Sequence, residues 1–380
     1  MDVFEEALEY HERWKGKLGL QLKAPLDTGE QLALAYTPGV ARPCVEIAKD
    51  GQAAYRYTAK GNWVAVVTDG SSVLGLGNIG PLAALPVMEG KAALFKRFAD
   101  VDAFPICLDT QDVDEIVETI VRLAPSFGGI NLEDIAAPRC FEIERRLDER
   151  LDIPVFHDDQ HGTAIVVLAA LINALELLKR DKKSIKVVIS GAGAAGMAIA
   201  KILIDFGVGD VILLDSRGAI FQGREEGMNH YKVEMAEVTN RELIQGGLQE
   251  VIVGADVFVG VSQPGILTKE MVETMASKPI VFALSNPIPE IMPDEALAAG
   301  AAIVCTGRSD FPNQVNNVLV FPGLFRGVLD ARIPSITQEM KLAAAKALAH
   351  VIDGEKSTEK VIPNLFDPRV AAAVAEAVKQ

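Results

Sequence analysis

A glycine-rich turn between a strand and a helix constrains the fold more than any other feature of this sequence. Residues 186–190 are rich in β-branched side chains and predict a strand, residues 194–206 predict an apolar helix, and residues 211–214 predict a second strand. The turn at residues 191–196 reads GAGAAG, and the acidic Asp215 follows the second strand. A strand, glycine turn, helix and strand in this order, closed by an acid, is the fingerprint of a Rossmann-type nucleotide-binding sheet.

Each glycine of this turn has a physical task. Gly191 makes the turn, Gly193 lets the backbone approach a pyrophosphate, and Gly196 lets the helix pack closely on the strand. The helix N-terminus then presents its partial positive charge to the phosphates. We therefore predict a dinucleotide site whose first contacts are Gly191, Gly193, Ala194, Ala195, Gly196 and Asp215.

Asp215 and Arg217 leave the choice of dinucleotide open. An acidic residue at the end of the second strand accepts hydrogen bonds from the ribose hydroxyls, which favours NAD. An arginine two residues later is also suited to the 2′-phosphate of NADP. We expect NAD, with NADP as the alternative.

A second copy of the glycine pattern, GLGNIG at residues 75–80, has a different context. Pro81 and Pro86 follow it, and proline in a helix interior removes a hydrogen bond and clashes with the preceding turn. We therefore predict that any helix after this copy is short or broken. The copy itself is interpreted as a structural or substrate-binding loop.

The remaining pattern predicts an α/β protein of two domains, as expected for 380 residues. Residues 1–155 predict a mixed α/β substrate domain, and residues 156–380 predict a doubly wound parallel sheet of Rossmann type whose C-terminal helices pack back onto the body. A helix is predicted at residues 112–124, capped by Thr110 or Asp112. Further strands are predicted at residues 63–68, 104–108, 129–132, 257–261, 280–284 and 303–305.

The charge and the termini exclude several classes of function. The formal net charge is -15 and no basic stripe is present, which argues against a nucleic-acid partner. The acidic N-terminus lacks the features of a signal peptide, and the longest apolar run, residues 163–172, is too short to span a bilayer. We expect a cytoplasmic protein that does not bind a membrane.

Acidic residues at two predicted strand ends suggest a metal site. Glu133 and Asp134 follow the strand at 129–132, and Asp158 and Asp159 lie just before a helix. Carboxylate oxygens without a nearby cysteine suit Mg²⁺ or Mn²⁺. The alternative is that Asp158 and Asp159 only cap the helix and stabilise its dipole. His157 and His161 are better suited to orienting or core roles than to metal binding.

Several segments spread over most of the chain resemble malic enzymes. They are residues 36–40, 68–70 with 74–77, 89–91, 131–134, 157–164, 285–287, and 316–317 with 321–323. The resemblance implies oxidative decarboxylation of L-malate to pyruvate and CO2 with reduction of NAD(P), a divalent metal, and oxaloacetate decarboxylation as a partial reaction.

The resemblance also implies residue roles. Lys91 and Tyr36 would be the acid-base pair, and the metal would be bound by Glu133, Asp134 and Asp159. Malate would contact Asn286 and Asn317, and Asn286 would also border the cofactor. A lysine that acts as a base near neutral pH must have its pKa lowered by burial or by the metal, so Lys91 should be enclosed.

One departure from the family pattern concerns substrate binding. Larger malic enzymes carry Gly-Glu-Arg after the Thr-Asp pair, with the arginine on a substrate carboxylate, whereas this chain has Gly70-Ser71-Ser72. Our hypothesis is that Ser72 and the backbone amides of residues 75–80 hold the malate carboxylate instead.

Three alternative functions remain open. A malolactic or oxaloacetate-decarboxylating lyase would need the same metal and nucleotide sites. An amino-acid dehydrogenase would need the nucleotide site but not the carboxylate cluster, and a nucleotide sensor would be catalytically inactive. The helical, one-sided apolar segment before Pro25 further predicts a homodimer or a larger homo-oligomer.

Overall fold

The first sheet of the computed structural model, which describes residues 3–379, has four parallel strands in the order β2-β1-β3-β4. These strands are β1 Trp63–Thr68, β2 Asp102–Cys107, β3 Gly129–Leu132 and β4 Val155–His157. β1 and β3 are central and almost fully buried. Helices cover both faces, as a parallel sheet requires.

The second sheet has six strands in the order β10-β9-β8-β5-β6-β7. They are β5 Lys186–Ser190, β6 Asp210–Asp215, β7 Gly218–Ala219, β8 Val257–Gly260, β9 Ile280–Ala283 and β10 Ile303–Thr306. All neighbours are parallel except β6 and β7. The strand order reverses between β5 and β8, which is where doubly wound sheets open a ligand crevice.

Helices connect the strands and cover the sheets. The α-helices are α1 Val3–Trp14, α2 Gly29–Ala35, α3 Ala41–Lys49, α4 Ala54–Tyr57, α5 Pro81–Ala99, α6 Val113–Leu123, α7 Arg139–Asp148, α8 Asp158–Leu178, α9 Ala194–Phe206, α10 His230–Val238, α11 Leu248–Val251, α12 Lys269–Thr274, α13 Pro293–Ala298, α14 Phe321–Ala331, α15 Gln338–His350 and α16 Arg369–Ala377. Short 3-10 helices lie at Gly51–Ala53, Ala59–Asn62, Ala124–Ser126, Lys182–Ser184 and Asn317–Leu319.

The sequence patterns placed the central elements correctly. β1, β3, β5 and α9 have the predicted bounds, and the other predicted strands differ by one or two residues at their ends. The carboxylate of Asp112 accepts the backbone N–H of Glu115 at 3.0 Å, so Asp112 rather than Thr110 caps α6.

The prediction of a short or broken helix after the first glycine motif is wrong. α5 is 19 residues long, with Pro81 at its first position and Pro86 inside it. Pro81 costs little, because first-turn N–H groups have no helical partner in any case, whereas an interior proline costs about 3 kcal/mol. Met88 and Phe95 are fully buried, and burying each contributes ~1.5–3 kcal/mol, which offsets that cost.

An aromatic cluster joins the C-terminal helices to the first sheet. The ring of Phe95 on α5 lies 4.7 Å from Phe321 and 5.2 Å from Phe325, both on α14, and Phe156 on β4 lies 6.0 Å from Phe325. α14 therefore packs onto the N-terminal half, α16 packs on α14, and α15 packs on α8, so the C-terminal helices pack back onto the body of the protein. α8 is long and apolar enough to cross a bilayer, but 67% of its most apolar window is buried, as in the core helix of a globular protein.

Candidate active site

Carboxylates converge at the carboxyl edge of the first sheet because the adjacent parallel strands β3 and β4 both end there. Glu133 and Asp134 follow β3, and Asp158 and Asp159 follow β4 at the start of α8. One carboxylate oxygen from each of Glu133, Asp134 and Asp159 lies within 4.8 Å of the other two. The structure thus brings together the three residues that the sequence suggested as metal ligands.

The surroundings of this cluster favour a cation. Burial is the largest cause that raises the pKa of each of the three carboxyl groups, and repulsion from a neighbouring carboxylate adds to it. Asp134 Oδ2 is buried and has no hydrogen-bond partner in the described chain. An oxygen-only donor set with an unpartnered buried oxygen fits a hard divalent ion such as Mg²⁺ or Mn²⁺.

Lys91 lies beside the cluster and is enclosed, as the sequence required. Its residue is 6% exposed, its Nζ is 2.9 Å from Glu133 Oε1 and forms an ion pair with Asp158, and it lies 4.0 Å from the centre of the Phe321 ring. In the metal-free chain, the lowering of its pKa by burial is outweighed by the neighbouring carboxylates. Burial lowers the pKa of Lys91, but Asp158 and Glu133 together raise it above its ordinary value.

The contact of Asp158 with Lys91 is a feature that sequence reasoning missed. The sequence indicates a carboxylate of the metal site or a helix cap, yet the fully buried carboxylate contacts Lys91, and its other oxygen has no hydrogen-bond partner in the described residues. Burial raises its pKa to about 7 against the opposing effect of Lys91. A Cβ on Gly162 would lie 1.8 Å from Asp158 Oδ1, so the glycine makes room for this carboxylate.

Glu144 on α7 fixes the start of α8. Its carboxylate accepts the backbone N–H of His157 at 2.9 Å, the side-chain amide of Gln160 at 3.1 Å, and contacts His161 Nε2 at 2.9 Å. The charge is retained, because His161 and Lys341 lower the pKa of Glu144 to about 2 although burial opposes this. His157 and His161 are thus orienting or core residues here, as the sequence indicated.

The first glycine motif lies between the two sheets. A Cβ on Gly75 would lie 2.7 Å from the carbonyl oxygen of Asn286, which follows β9. The backbone N–H of Ser72 donates to the Asp134 carbonyl at 3.0 Å, and that of Leu74 donates to the Asp134 carboxylate. The Ser72 side chain is exposed. The loop therefore connects the carboxylate cluster to Asn286.

Asn317 lies against the start of α8, whereas Tyr36 lies away from the site. A Cβ on Gly162 would lie 3.1 Å from Asn317 Cβ, which puts Asn317 against the first turn of α8. Tyr36 ends α2, is 67% exposed, and its side chain has no hydrogen-bond partner within residues 3–379. The structure of one chain thus gives no contact between Tyr36 and Lys91.

The second glycine motif has the geometry that the fingerprint requires. Gly191 has φ of +117°, and a Cβ on it would lie 2.6 Å from the Val261 carbonyl oxygen. A Cβ on Gly196 would lie 1.7 Å from the Gly191 carbonyl oxygen, whereas a Cβ on Gly193 would meet nothing within 4 Å. The turn is therefore closed on the strand side and open on the side where a pyrophosphate would approach.

Asp215 is more heavily engaged than the sequence suggested. Its oxygens accept both N–H groups of Arg224 Nη2 at 2.7 and 2.8 Å, Lys232 Nζ at 2.6 Å and the backbone N–H of Arg217 at 2.9 Å. These bonds lower its pKa although burial opposes them. A carboxylate has about four acceptor positions, so few remain for ribose hydroxyls.

The two sheet edges together define a class of protein. A glycine turn at the switch point of a Rossmann-type sheet lies across from an oxygen-only metal cluster with an enclosed lysine, the combination of a metal-dependent oxidoreductase that uses a nicotinamide dinucleotide. Comparison with known families makes the assignment specific. Residues 15–148 match the family "Malic enzyme, N-terminal domain", and residues 160–380 match "Malic enzyme, NAD binding domain". The chain belongs to the malic enzyme family.

Relatives cover almost the whole chain. The bifunctional malic/malolactic enzyme of Bacillus subtilis is 60% identical over 379 residues, which is 100% of this chain and 92% of the relative. The NAD-dependent malic enzyme of Geobacillus stearothermophilus is 57% identical, covering 96% of this chain and 76% of the relative. The NADP-dependent malic enzyme of Escherichia coli is 49% identical, and the alignment covers 51% of its length.

Solved structures share the same fold. The NAD-dependent malic enzyme of Thermotoga maritima superposes with a TM-score of 0.95 at 51% identity and covers 98% of both chains. The malic enzyme of Pyrococcus horikoshii also has a TM-score of 0.95, at 50% identity, with 99% of this chain and 90% of that chain covered. The two-sheet α/β architecture is therefore that of malic enzymes.

Proposed function

We propose that this chain oxidises L-malate and decarboxylates the product to pyruvate and CO2 while reducing NAD or NADP. The observation that carries the proposal is Lys91, enclosed between Glu133 and Asp158 at the border of a cluster that fits a divalent ion. The oxidation needs a base at the C2 hydroxyl, and the decarboxylation needs stabilisation of negative charge on the same oxygen.

Glu133, Asp134 and Asp159 are the proposed ligands of Mg²⁺ or Mn²⁺. When bound, the ion supplies Lewis-acid stabilisation of the charge that develops on the substrate oxygen. The residues themselves fix where the ion lies, because the backbone N–H of Asp134 donates to Asp159 Oδ2 at 2.7 Å and links the loops after β3 and β4.

Lys91 is the proposed base that takes the C2 hydroxyl proton. Its ammonium must first lose a proton, and the Asp158 carboxylate is the partner in contact with it. Because Asp158 and Glu133 raise the pKa of Lys91, a divalent ion at the neighbouring carboxylates would have to lower that pKa before the amine becomes neutral. Proton exchange between Nζ and this carboxylate would supply the neutral amine in an enclosed site.

Malate is proposed to lie between the first glycine motif and the loops after β9 and β10. Asn286 and Asn317 offer amide groups to the substrate, and Asn286 also borders the dinucleotide crevice. Ser72 and the backbone amides of residues 75–80 are the proposed partners of the carboxylate that an arginine holds in larger malic enzymes. The contact between Gly75 and Asn286 supports this placement.

A second copy of this chain is proposed to cover the N-terminal helices. No residue of α1, α2 or α3 is buried, and large apolar side chains are exposed along this region. They include Val3, Leu8, Trp14, Leu20, Leu22, Leu32 and Leu34. An apolar surface of this extent is typical of a subunit interface, so we propose a homodimer or larger homo-oligomer. Tyr36 lies on this surface, and we propose that it protonates C3 in the site of the second copy.

Mixed dimers test the Tyr36 proposal. Tyr36→Phe and Lys91→Ala should each abolish most activity when expressed alone. If Tyr36 acts across the interface, co-expression should restore roughly a quarter of wild-type activity, since half of the randomly mixed dimers carry one intact site. No recovery in verified mixed dimers would assign Tyr36 to the site of its own chain or to none.

Three further proposals concern cofactor, location and domain limits. The proposed pyrophosphate contacts are Gly191, Gly193, Ala194, Ala195 and Gly196. Asp215 is the proposed ribose contact, and because its oxygens are already occupied, we expect at most a weak preference for NAD over NADP. We place the enzyme in the cytoplasm. We place the boundary of the two domains at residues 155/156, within β4 and two residues before α8 begins.

One assay tests the function. Malate, Mn²⁺ or Mg²⁺ and either dinucleotide should give a rise in nicotinamide absorbance with equimolar pyruvate, and a chelator should abolish both. No reduced cofactor with either dinucleotide would overturn the proposal.

A malolactic reaction is the second candidate, because the 60% identical relative from Bacillus subtilis is a bifunctional malic/malolactic enzyme. Lactate formed from malate without net reduced cofactor would establish this activity. Pyruvate alone would exclude it.

A further inference from the structure

Glu290 is a buried carboxylate at the carboxyl edge of the second sheet that the sequence motifs did not single out. Glu290 is fully buried, with 0% of the residue exposed, and lies seven positions after the last residue of β9. No lysine, arginine or histidine of the described chain forms an ion pair with it, and burial raises its pKa although backbone N–H groups oppose this. A carboxylate that is buried without a cation beside it is energetically costly, so its hydrogen bonds must compensate for the lost solvation.

The two oxygens of Glu290 join the loops after two neighbouring strands. Oε1 accepts the backbone N–H of Ser262 at 3.1 Å, and Oε2 accepts that of Ser285 at 3.0 Å. Ser262 follows β8 and Ser285 follows β9. One side chain therefore fixes the distance between both loops, and Asn286 is the next residue after the second contact.

Ser262 extends the connection to the phosphate turn. Its hydroxyl lies 3.1 Å from the hydroxyl of Ser190, the last residue of β5, and a Cβ on Gly191 would lie 3.2 Å from Ser262 Cβ. The loop that Glu290 holds thus packs directly on the first glycine of the fingerprint. These contacts lie at the switch point between β5 and β8, where the crevice opens.

The fit of Glu290 is tight. A Cβ on Gly260, the last residue of β8, would lie 2.3 Å from Glu290 Cδ, so only glycine leaves room for the carboxylate. A hydrogen bond from a backbone N–H to a charged acceptor is stronger and more directional than one to a neutral acceptor. The carboxylate can therefore hold both loops in one arrangement before a cofactor binds.

We propose that Glu290 is a positioning residue for the dinucleotide site. Its carboxylate holds the Ser262 loop against the turn at Gly191 and holds the Ser285 loop so that Asn286 faces the crevice. The consequence for malate rests on the role proposed above for Asn286, whereas the consequence for the dinucleotide does not.

The test is direct titration of the full-length Glu290→Gln variant with NAD and with NADP, alongside the KM for malate. The amide replaces one acceptor oxygen with a donor that faces an N–H group. We expect the Kd of both dinucleotides to rise roughly tenfold, the loss of about one charge-assisted hydrogen bond. The KM for malate should rise as well.

Asp256→Asn is the matched control. Asp256 Oδ2 accepts the backbone N–H of Lys186 at 2.9 Å, so it joins the same β5 and β8 region at the amino edge of the sheet. This variant should lower the Tm but leave both dinucleotide Kd values unchanged. If Glu290→Gln does the same, Glu290 only stabilises the fold and the proposal is overturned.

Glu290→Asp provides a milder variant if the glutamine variant does not fold. It keeps the charge but is one methylene too short to reach both loops, so a smaller rise in the dinucleotide Kd is expected. An unchanged Kd in a folded Glu290→Asp protein would also overturn the proposal. Dinucleotide binding without any malate turnover would leave this inference standing and would instead contradict the proposed reaction.

Discussion

The carboxyl edges of the two sheets differ in the chemical groups that they present. The edge of the first sheet carries side-chain charges, with three buried carboxylates and the half-buried Asp159 near one lysine. The edge of the second sheet carries glycines and backbone N–H groups, with Gly193 open and Gly191 and Gly196 closely packed. In the proposed function the first edge transfers a proton and holds a cation, so it depends on charge, whereas the second holds the pyrophosphate of the dinucleotide, so it depends on shape.

The largest effect should come from removing the lysine of the charged edge. Lys91→Ala should lower kcat by about 10²–10⁴-fold, the usual contribution of a general base, and leave the dinucleotide Kd unchanged because the second edge is intact. Steady-state kinetics and direct titration measure the two separately. A parallel loss of dinucleotide affinity would show that the edges are not independent.

A methyl group added at the second edge should weaken dinucleotide binding by steric exclusion alone. Gly193→Ala introduces no clash in the protein, so the Tm should stay within the range of the wild type. The methyl group blocks the approach of the pyrophosphate, and the dinucleotide Kd should rise on the order of 10-fold or more. Unchanged affinity would mean that the cofactor does not approach this glycine. Mn²⁺ binding, followed by its EPR signal, serves as the control and should not change.

The charged edge should also give the metal-free protein a distinct pH dependence. A carboxyl group whose pKa is raised in the folded state keeps its proton at pH values where the unfolded chain has released it. The free energy of unfolding should therefore fall as the pH rises from the ordinary carboxyl range to about 7, the pKa of Asp158. Mg²⁺ should therefore raise the Tm more at pH 8 than at pH 5. Calorimetry at both pH values with and without chelator measures this, and an equal Tm shift would contradict it. Asp134→Asn should reduce the difference.

The smallest effect is expected in the loop that joins the two edges. Ser72→Ala removes one exposed hydroxyl, and the KM for malate should rise by roughly 3- to 10-fold, since one hydrogen bond contributes about 0.5–1.5 kcal/mol. The Kd of the dinucleotide should not change. Wild-type affinity for malate would remove Ser72 from the site and leave the backbone amides of residues 75–80.

The sequence predicted most of the second edge because its signals are local. A β-branched run, three glycines at fixed spacing and an apolar helix lie within residues 186–206, and local periodicity specifies all of them. Strand ends also indicated that the carboxylates at residues 133–134 and 158–159 could converge, since residues that follow adjacent parallel strands lie at one edge, but the choice of Glu133, Asp134 and Asp159 as ligands came from the resemblance to malic enzymes. The sequence wrongly predicted a short or broken helix at α5, because the propensity of proline takes no account of the burial of Met88 and Phe95.

Contacts between residues distant in the chain were decided only by the tertiary structure. The structure pairs Lys91 with Asp158, bonds Glu144 to the residue before α8, occupies the oxygens of Asp215 and joins two loops through Glu290, and sequence spacing relates none of these partners. The pKa of each group follows from those contacts and from burial, which is why the balance at Lys91 between burial and its two carboxylate partners could not be predicted from the sequence. The sequence alone therefore determined the fold class, the glycine turn and the candidate carboxylates, because these depend on residue type and local order. The tertiary structure determined which charges neutralise one another, because electrostatic energy depends on distance and desolvation.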